Sequence, residues 1–260
     1  MATANLREAD SGTAVMSCLE VWGGNTDASR DIVLYGLDAW MYSRAQGYAS
    51  KGGDVYYVSN CATGRIIRLL VADVSGHGEA VTGVADLLLR LMRRYINQID
   101  QIHFVRAMNS SFSTLSRDGL FATAVVATYF TPTHTLTLTN AGHPSPALYE
   151  AGPGKWSYLT PQSVESGRPT DIPLGILDIS DYETQASRLK PGDVVMCYTD
   201  ALIECRNPKG ERLGMDGLMK VLQRLDMDER DRIIPALLDS LNALHIGNLK
   251  DDDITVRLRF

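Results

Sequence analysis

The sequence predicts an α+β fold in which mainly antiparallel sheets are covered by pairs of helices, and three observations predict it. Short β-rich runs recur along the chain with turn residues between them. Helical periodicity appears in two pairs of segments rather than after every strand. The resulting order is strands, two helices, strands, two helices, strand, which favours antiparallel sheets over a parallel βαβ array. A chain of 260 residues fits one large domain of this kind.

Residues 1–16 are small and polar without a sustained period and read as a mobile N-terminal tail, with a single domain expected over 17–260. Strands are expected at Ala39–Arg44, Val55–Ser59, Ile66–Ala72, Ala122–Tyr129, Thr135–Asn140, Pro146–Tyr149, Val194–Thr199 and Ile254–Phe260. After Gly78, the residues Val81, Val84, Ala85, Leu88, Met92 and Tyr95 fall at three- and four-residue spacing and predict a helix. Further helices are expected over Ile102–Leu115, Met215–Leu225 and Arg230–Leu244. Residues 151–175, rich in Gly and Pro, read as one long irregular loop of the length often used for lids or flaps.

The apolar fraction of 45% and charged fraction of 22% are ordinary for a soluble globular protein. A net charge of −6 argues against bulk attraction to nucleic acid or to an anionic membrane, and Arg90, Arg93 and Arg94 make only a small basic patch. The N-terminus lacks the basic and apolar regions of a secretory signal, and Leu87-Leu88-Leu89 is cut short by Arg90 before it approaches a membrane span. A cytoplasmic protein is expected. Cys18, Cys61, Cys197 and Cys205 show no Cys-x-x-Cys spacing and read as reduced thiols.

Four aspartates stand at the ends of β-like runs: Asp54 after Gly52-Gly53, Asp73 before Val74-Ser75-Gly76-His77-Gly78, Asp200 after Cys197-Tyr198-Thr199, and Asp252 within Asp251-Asp252-Asp253. Each has a plain alternative. Asp73 could cap the helix that starts near Glu79, Asp54 and Asp200 could serve turns, and the acidic triple could be a solvated charge run. Brought together by a sheet, clustered carboxylates repel unless a cation lies among them. An all-oxygen donor set favours magnesium or manganese over zinc.

Six motifs then occur in order: Gly52-Gly53-Asp54, Ala72-Asp73-Val74-Ser75-Gly76-His77-Gly78, Asn140-Ala141-Gly142-His143-Pro144, Pro191-Gly192-Asp193, Tyr198-Thr199-Asp200-Ala201-Leu202-Ile203-Glu204 and Asp252-Asp253-Ile254-Thr255. Over about residues 37–260 the chain resembles the PPM (protein phosphatase 2C-type) metal-dependent serine/threonine phosphatases, in their bacterial SpoIIE/RsbU-like branch. The resemblance implies a four-layer α-β-β-α sandwich with two Mn²⁺ or Mg²⁺ ions. It implies that Asp73 bridges both ions, that the Val74 backbone carbonyl binds one, that Asp200 and Asp252 hold the first and that Asp54 holds the second. It implies hydrolysis of phosphoserine or phosphothreonine by a metal-activated water.

The match departs from the branch in Val55, Tyr56 and Tyr57 after Asp54, where an outer carboxylate is missing, and in Ala201, where glycine is usual. Ser75 occupies the slot of a histidine assigned as an acid in the eukaryotic branch. His77, two residues on, is a candidate general acid set against a turn-stabilising role, and His143 reads as structural. The resemblance also implies a phosphorylated protein substrate such as a STAS-domain anti-sigma-factor antagonist. With few residues before the matching region, control is expected from a separate partner, a homodimer or expression level. The helix pair between Gly78 and Leu115 is where control is expected to act, with core packing as the plain alternative. A pseudophosphatase that binds phosphoprotein without turnover is the alternative, and the full aspartate set argues against it. A nucleotide cyclase reading fails at Val55, and no Gly-x-x-x-x-Gly-Lys-Ser/Thr loop is present.

Overall fold

Two six-stranded antiparallel sheets pack face to face, and helices cover both outer faces. The structure, a computed structural model, describes residues 19–23, 28–44, 53–76, 79–115, 119–160, 172–177, 182–229, 232–244 and 253–260. Residues 1–16, His77, Asp252 and much of the expected flap lie outside them.

The strands are β1 (Leu19–Gly23), β2 (Ala28–Leu34), β3 (Leu37–Arg44), β4 (Asp54–Asn60), β5 (Ile66–Val74), β6 (Ala122–Phe130), β7 (Thr135–Ala141), β8 (Ala147–Glu150), β9 (Lys155–Tyr158), β10 (Gln185–Arg188), β11 (Val194–Tyr198) and β12 (Asp253–Arg259). The helices are α1 (Glu79–Tyr95), α2 (Gln101–Leu115), α3 (Ala201–Glu204), α4 (Gly214–Leu222) and α5 (Ile233–Leu244). The first sheet runs β1-β4-β5-β6-β7-β10, and the second runs β2-β3-β12-β11-β8-β9.

Side-chain alternation divides the core into three. Tyr56, Val58, Leu69, Val71, Val125 and Leu138 of the first sheet meet Met41, Val195, Cys197, Val256 and Leu258 of the second. The opposite face of the first sheet, with Leu70, Ala72 and Val126, packs on Leu88, Met92, Phe104 and Met108 of α1 and α2. The outer face of the second sheet, with Val194, Met196 and Tyr198, packs on Leu218, Leu222, Leu237 and Leu241 of α4 and α5. This is the expected α-β-β-α arrangement.

The eight strands expected from sequence are the eight interior strands; β1, β10, β2 and β9 are the four sheet edges. Interior strands are buried on both faces and read as apolar runs, as in β5 (Ile-Ile-Arg-Leu-Leu-Val-Ala-Asp-Val). The edge strands lack such runs: β10 is Gln-Ala-Ser-Arg and β1 only the short Leu-Glu-Val-Trp-Gly, and they take their conformation from a neighbour's hydrogen bonds. The region 151–175 is accordingly not one irregular loop: β9 forms a hairpin with β8 through a turn in which Gly154 has φ +65°. Pro235 sits in the first turn of α5, where its missing N–H costs nothing; Arg230, the expected start of this helix, lies outside the described residues.

The segment 172–177 is pinned between the first sheet and α2. Leu174 exchanges both backbone hydrogen bonds with Ala122 at 3.0 and 2.8 Å. Asn109 on α2 brackets the next turn, accepting from the Gly175 N–H at 2.9 Å and donating to the Leu177 carbonyl at 2.7 Å. Gly175 has φ +92°, and a Cβ there would meet the Phe112 ring at 2.8 Å. Gly175→Ala should therefore lower unfolding stability by about 1–3 kcal/mol through strain and overpacking, measurable by urea denaturation.

Candidate metal centre

Asp54 opens β4 and Asp73 lies one residue before the end of β5, and the ladder pairs them directly, Asp54 opposite Asp73. By alternation both belong to the face that carries Tyr56, Val58, Leu69 and Val71, so both carboxylates face the space between the sheets. Opposed residues on neighbouring strands have Cβ atoms only about 4.5–5.5 Å apart, and like charges there destabilise the pair. Asp54 is 4% exposed, which makes the repulsion more costly still. Asp73 sits inside the ladder with Thr123 of β6 on its other side, so it is not the N-cap of α1.

The chain leaving Asp73 is held tightly. Ser75 donates its N–H to the Phe121 carbonyl at 2.9 Å, and its Oγ accepts the Phe121 N–H at 3.0 Å. Gly76 then turns with φ +109°. The Val74 N–H donates to the Gly53 carbonyl at 3.3 Å. In a strand a residue's N–H and C=O point to the same side, so the Val74 carbonyl is directed towards Gly53 and Asp54.

Asp200 follows β11 in the second sheet and stands at the N-terminus of the one-turn α3, yet its side chain makes no capping hydrogen bond there. The β11–β12 ladder ends with Tyr198 opposite Thr255, Tyr198 lying two residues before Asp200 and Thr255 three after Asp252. Among the described residues no group of three His, Cys, Asp or Glu side chains gathers into one cluster. The structure therefore brings Asp54 and Asp73 together in one sheet and sets Asp200 on the other. Asp193 is different: its two oxygens accept from the Ala151 and Lys190 N–H groups at 2.9 and 2.8 Å, a purely local role.

His143 is tied to the first sheet through Asn140 and Thr123. The Asn140 amide closes its turn, donating to the His143 carbonyl and accepting the His143 N–H, both at 2.8 Å. The ring reaches Thr123, the neighbour of Asp73, with Nδ1 2.9 Å from Oγ1. Its Nε2 is buried without a partner of good hydrogen-bond geometry. The Tyr198 backbone, two residues before Asp200, is nonetheless near enough to favour the protonated ring slightly. Burial dominates and pulls the imidazole down from 6.5 to about 4, so it is neutral at pH 7. Thr123 was invisible in the sequence, since nothing in an apolar β-run marks one threonine as the neighbour of a distant aspartate.

A sandwich of two antiparallel sheets between helix layers is also the fold of the PP2C phosphatase domain of SpoIIE from Bacillus subtilis, which superposes with TM-score 0.70 at 18% identity over 87% of this chain and 64% of that one. A family model described as Stage II sporulation protein E (SpoIIE) matches residues 63–259. The chain belongs to the SpoIIE family. It is 24% identical over 198 residues to phosphoserine phosphatase RsbU of Bacillus subtilis, covering 74% of this chain and 55% of RsbU. It is 21% identical over 228 residues to stage II sporulation protein E of the same organism, covering 85% of this chain and 26% of that protein. It thus spans about half of one curated relative and a quarter of the other. The RsbU and RsbW domains of Rv1364c from Mycobacterium tuberculosis superpose with TM-score 0.71 at 20% identity, over 90% of this chain and 62% of that one. The PstP catalytic domain in complex with 2 manganese ions superposes with TM-score 0.57 at 16% identity, over 86% of this chain and 97% of that one.

His143 gives a pH prediction. Its pKa is lower folded than unfolded, so the unfolded chain takes up a proton between about pH 6.5 and pH 4 that the native protein refuses, and stability falls as pH drops through that window. Urea unfolding at about pH 7 and about pH 5 should show a smaller loss for His143→Gln than for the parent chain.

Proposed function

We propose that the protein is a metal-dependent protein phosphatase that hydrolyses phosphoserine or phosphothreonine, and that it works in a partner-switching pathway. The observation that carries this reading is the direct pairing of Asp54 with Asp73 inside a SpoIIE-family fold. Two like charges set opposite each other, one of them buried, are tolerable where a cation is the third member, and an all-oxygen set suits Mg²⁺ or Mn²⁺. In this reading Asp73, the Val74 carbonyl, Asp200 and Asp252 would hold one cation, and Asp73 with Asp54 would hold the other. Such cations, when bound, polarise a water and offset the charge of the phosphoryl group.

The chain's own part is positional. The β4–β5 ladder fixes the two carboxylates relative to each other, and the Ser75–Phe121 bracket fixes the turn that follows Asp73. Neutral His143 adds no positive charge beside that pair, so it does not compete for the carboxylates. No side-chain nucleophile is required in this reading, and His77 is given no step.

Purified protein should hydrolyse p-nitrophenyl phosphate with Mn²⁺ and lose that activity with chelator. Asp73→Asn should lower the rate by at least about a hundredfold, and Mn²⁺ should raise the melting temperature of the parent chain but not of this variant. Equal turnover by the variant would remove the metal assignment.

The substrate reading is finer. RsbU carries the name phosphoserine phosphatase, and a phosphorylated STAS-domain anti-sigma-factor antagonist is the proposed substrate here. A panel of phosphorylated STAS proteins from the same genome should include one whose phosphoserine or phosphothreonine is removed in a Mn²⁺-dependent manner, read by intact-protein mass spectrometry. Release from generic phosphopeptides alone would count against the partner-switching assignment.

A further inference from the structure

At the far end of the first sheet from Asp54 and Asp73, roughly 20 Å along β4, a cavity of about 590 Å³ opens between the β1–β4 edge and the connection from α1 to α2. Leu19, Ile66, Ile96 and Ile99 supply an apolar wall, and Arg68 and Arg93 supply the cations. This volume lies within the usual range for small-molecule sites, which pair apolar walls with a few placed polar groups.

Arg68 is the unusual member. It is 2% exposed and lies on the sheet face under α1 and α2. Its Nε donates to the Ile96 carbonyl at 3.1 Å, Nη1 to Thr128 Oγ1 at 2.8 Å, and Nη2 to the Gln98 carbonyl. Its guanidinium carbon stands 4.5 Å from the centre of the Phe104 ring. All of these partners are neutral. Tyr57 beside it is a neutral phenol, its own pKa raised by burial, and burial pulls the Arg68 pKa below the ordinary arginine range. A guanidinium has five N–H donors, and three are used here, leaving two.

The other charges on the cavity cancel. Arg93 Nε is paired with Glu20 and stacks over Trp22 at 5.9 Å. Among the described lining residues one positive charge is therefore left without a carboxylate, and it is the buried one. A buried charge is normally paired, because desolvation is otherwise uncompensated.

We propose that this cavity is a binding site for a small amphipathic carboxylate, a medium-chain aliphatic acid whose carboxylate pairs with Arg68 and whose chain lies against Leu19, Ile66, Ile96 and Ile99. A single uncompensated cation beside an apolar wall matches one negative charge on an apolar body better than it matches a phosphate dianion. Because Arg68 also ties the sheet to Ile96 and Gln98, an occupant would bear directly on the segment that joins α1 to α2. The site does not depend on the phosphatase reading.

The test is calorimetric titration of the whole chain with octanoate, octan-1-ol and inorganic phosphate. Octanoate should bind saturably at one site, at least about tenfold more tightly than octan-1-ol, with no saturable heat from phosphate. Arg68→Met removes the proposed partner but also the brace on Ile96 and Gln98, so a second variant is needed. Ile99 is 81% exposed at the rim, and Ile99→Asp adds a repelling carboxylate without disturbing the core, so octanoate affinity should fall at least about tenfold. Absence of saturable octanoate binding, equal affinity for octan-1-ol, or unchanged affinity in Ile99→Asp would each overturn the assignment.

Discussion

The constraint on which the rest depends is the placement of two carboxylates opposite each other at the end of a sheet, facing into a sandwich. Asp54 and Asp73 occupy that position because β4 and β5 form a hairpin whose register is fixed at its other end. The Cys61–Ile66 turn closes with the Cys61 N–H on the Ile66 carbonyl and the Gly64 N–H on Cys61. A slip of one residue would turn the side chains of the moved strand to the other face, sending one carboxylate against α1 and α2. Val55 and Tyr57 face the helices while Tyr56 and Val58 face the second sheet, so both faces are apolar and the turn holds the register.

The Asn-Ala-Gly-His-Pro turn runs from the sheet that carries this pair towards the second sheet. His143 is neutral, buried and locked by Asn140, and its ring reaches from Thr123 beside Asp73 towards the backbone that leads to Asp200. Tyr198 adds a second tie, donating its hydroxyl to the Ser145 carbonyl at 2.9 Å. The motif thus relates two strand ends that are remote in sequence, which is a positional task that an exposed turn histidine could not perform.

The layer formed by α1 and α2 is tied to the sheet at both of its ends. Arg68 braces the helix–helix connection at one end, and Asn109 with Phe112 holds the 172–177 segment near the other. Gln101 couples these ties to the sheet itself, accepting from Thr128 at 2.6 Å and donating to the Val126 carbonyl at 2.9 Å.

The sequence by itself determined the class of the fold, the eight interior strands and the aspartates worth considering. Strands such as β5 and β11 are buried on both faces, and burial writes an apolar run into local sequence. It left each aspartate with an equally good turn or capping explanation, because a strand end and a turn look alike from within ten residues. Tertiary structure decided the rest. It put Asp54 against Asp73, left the Asp200 side chain out of capping α3, and gave Asp193 a local role. It also formed the four edge strands and left Arg68 buried without a carboxylate, because strand pairing and charge compensation depend on what lies across the sheet rather than along the chain.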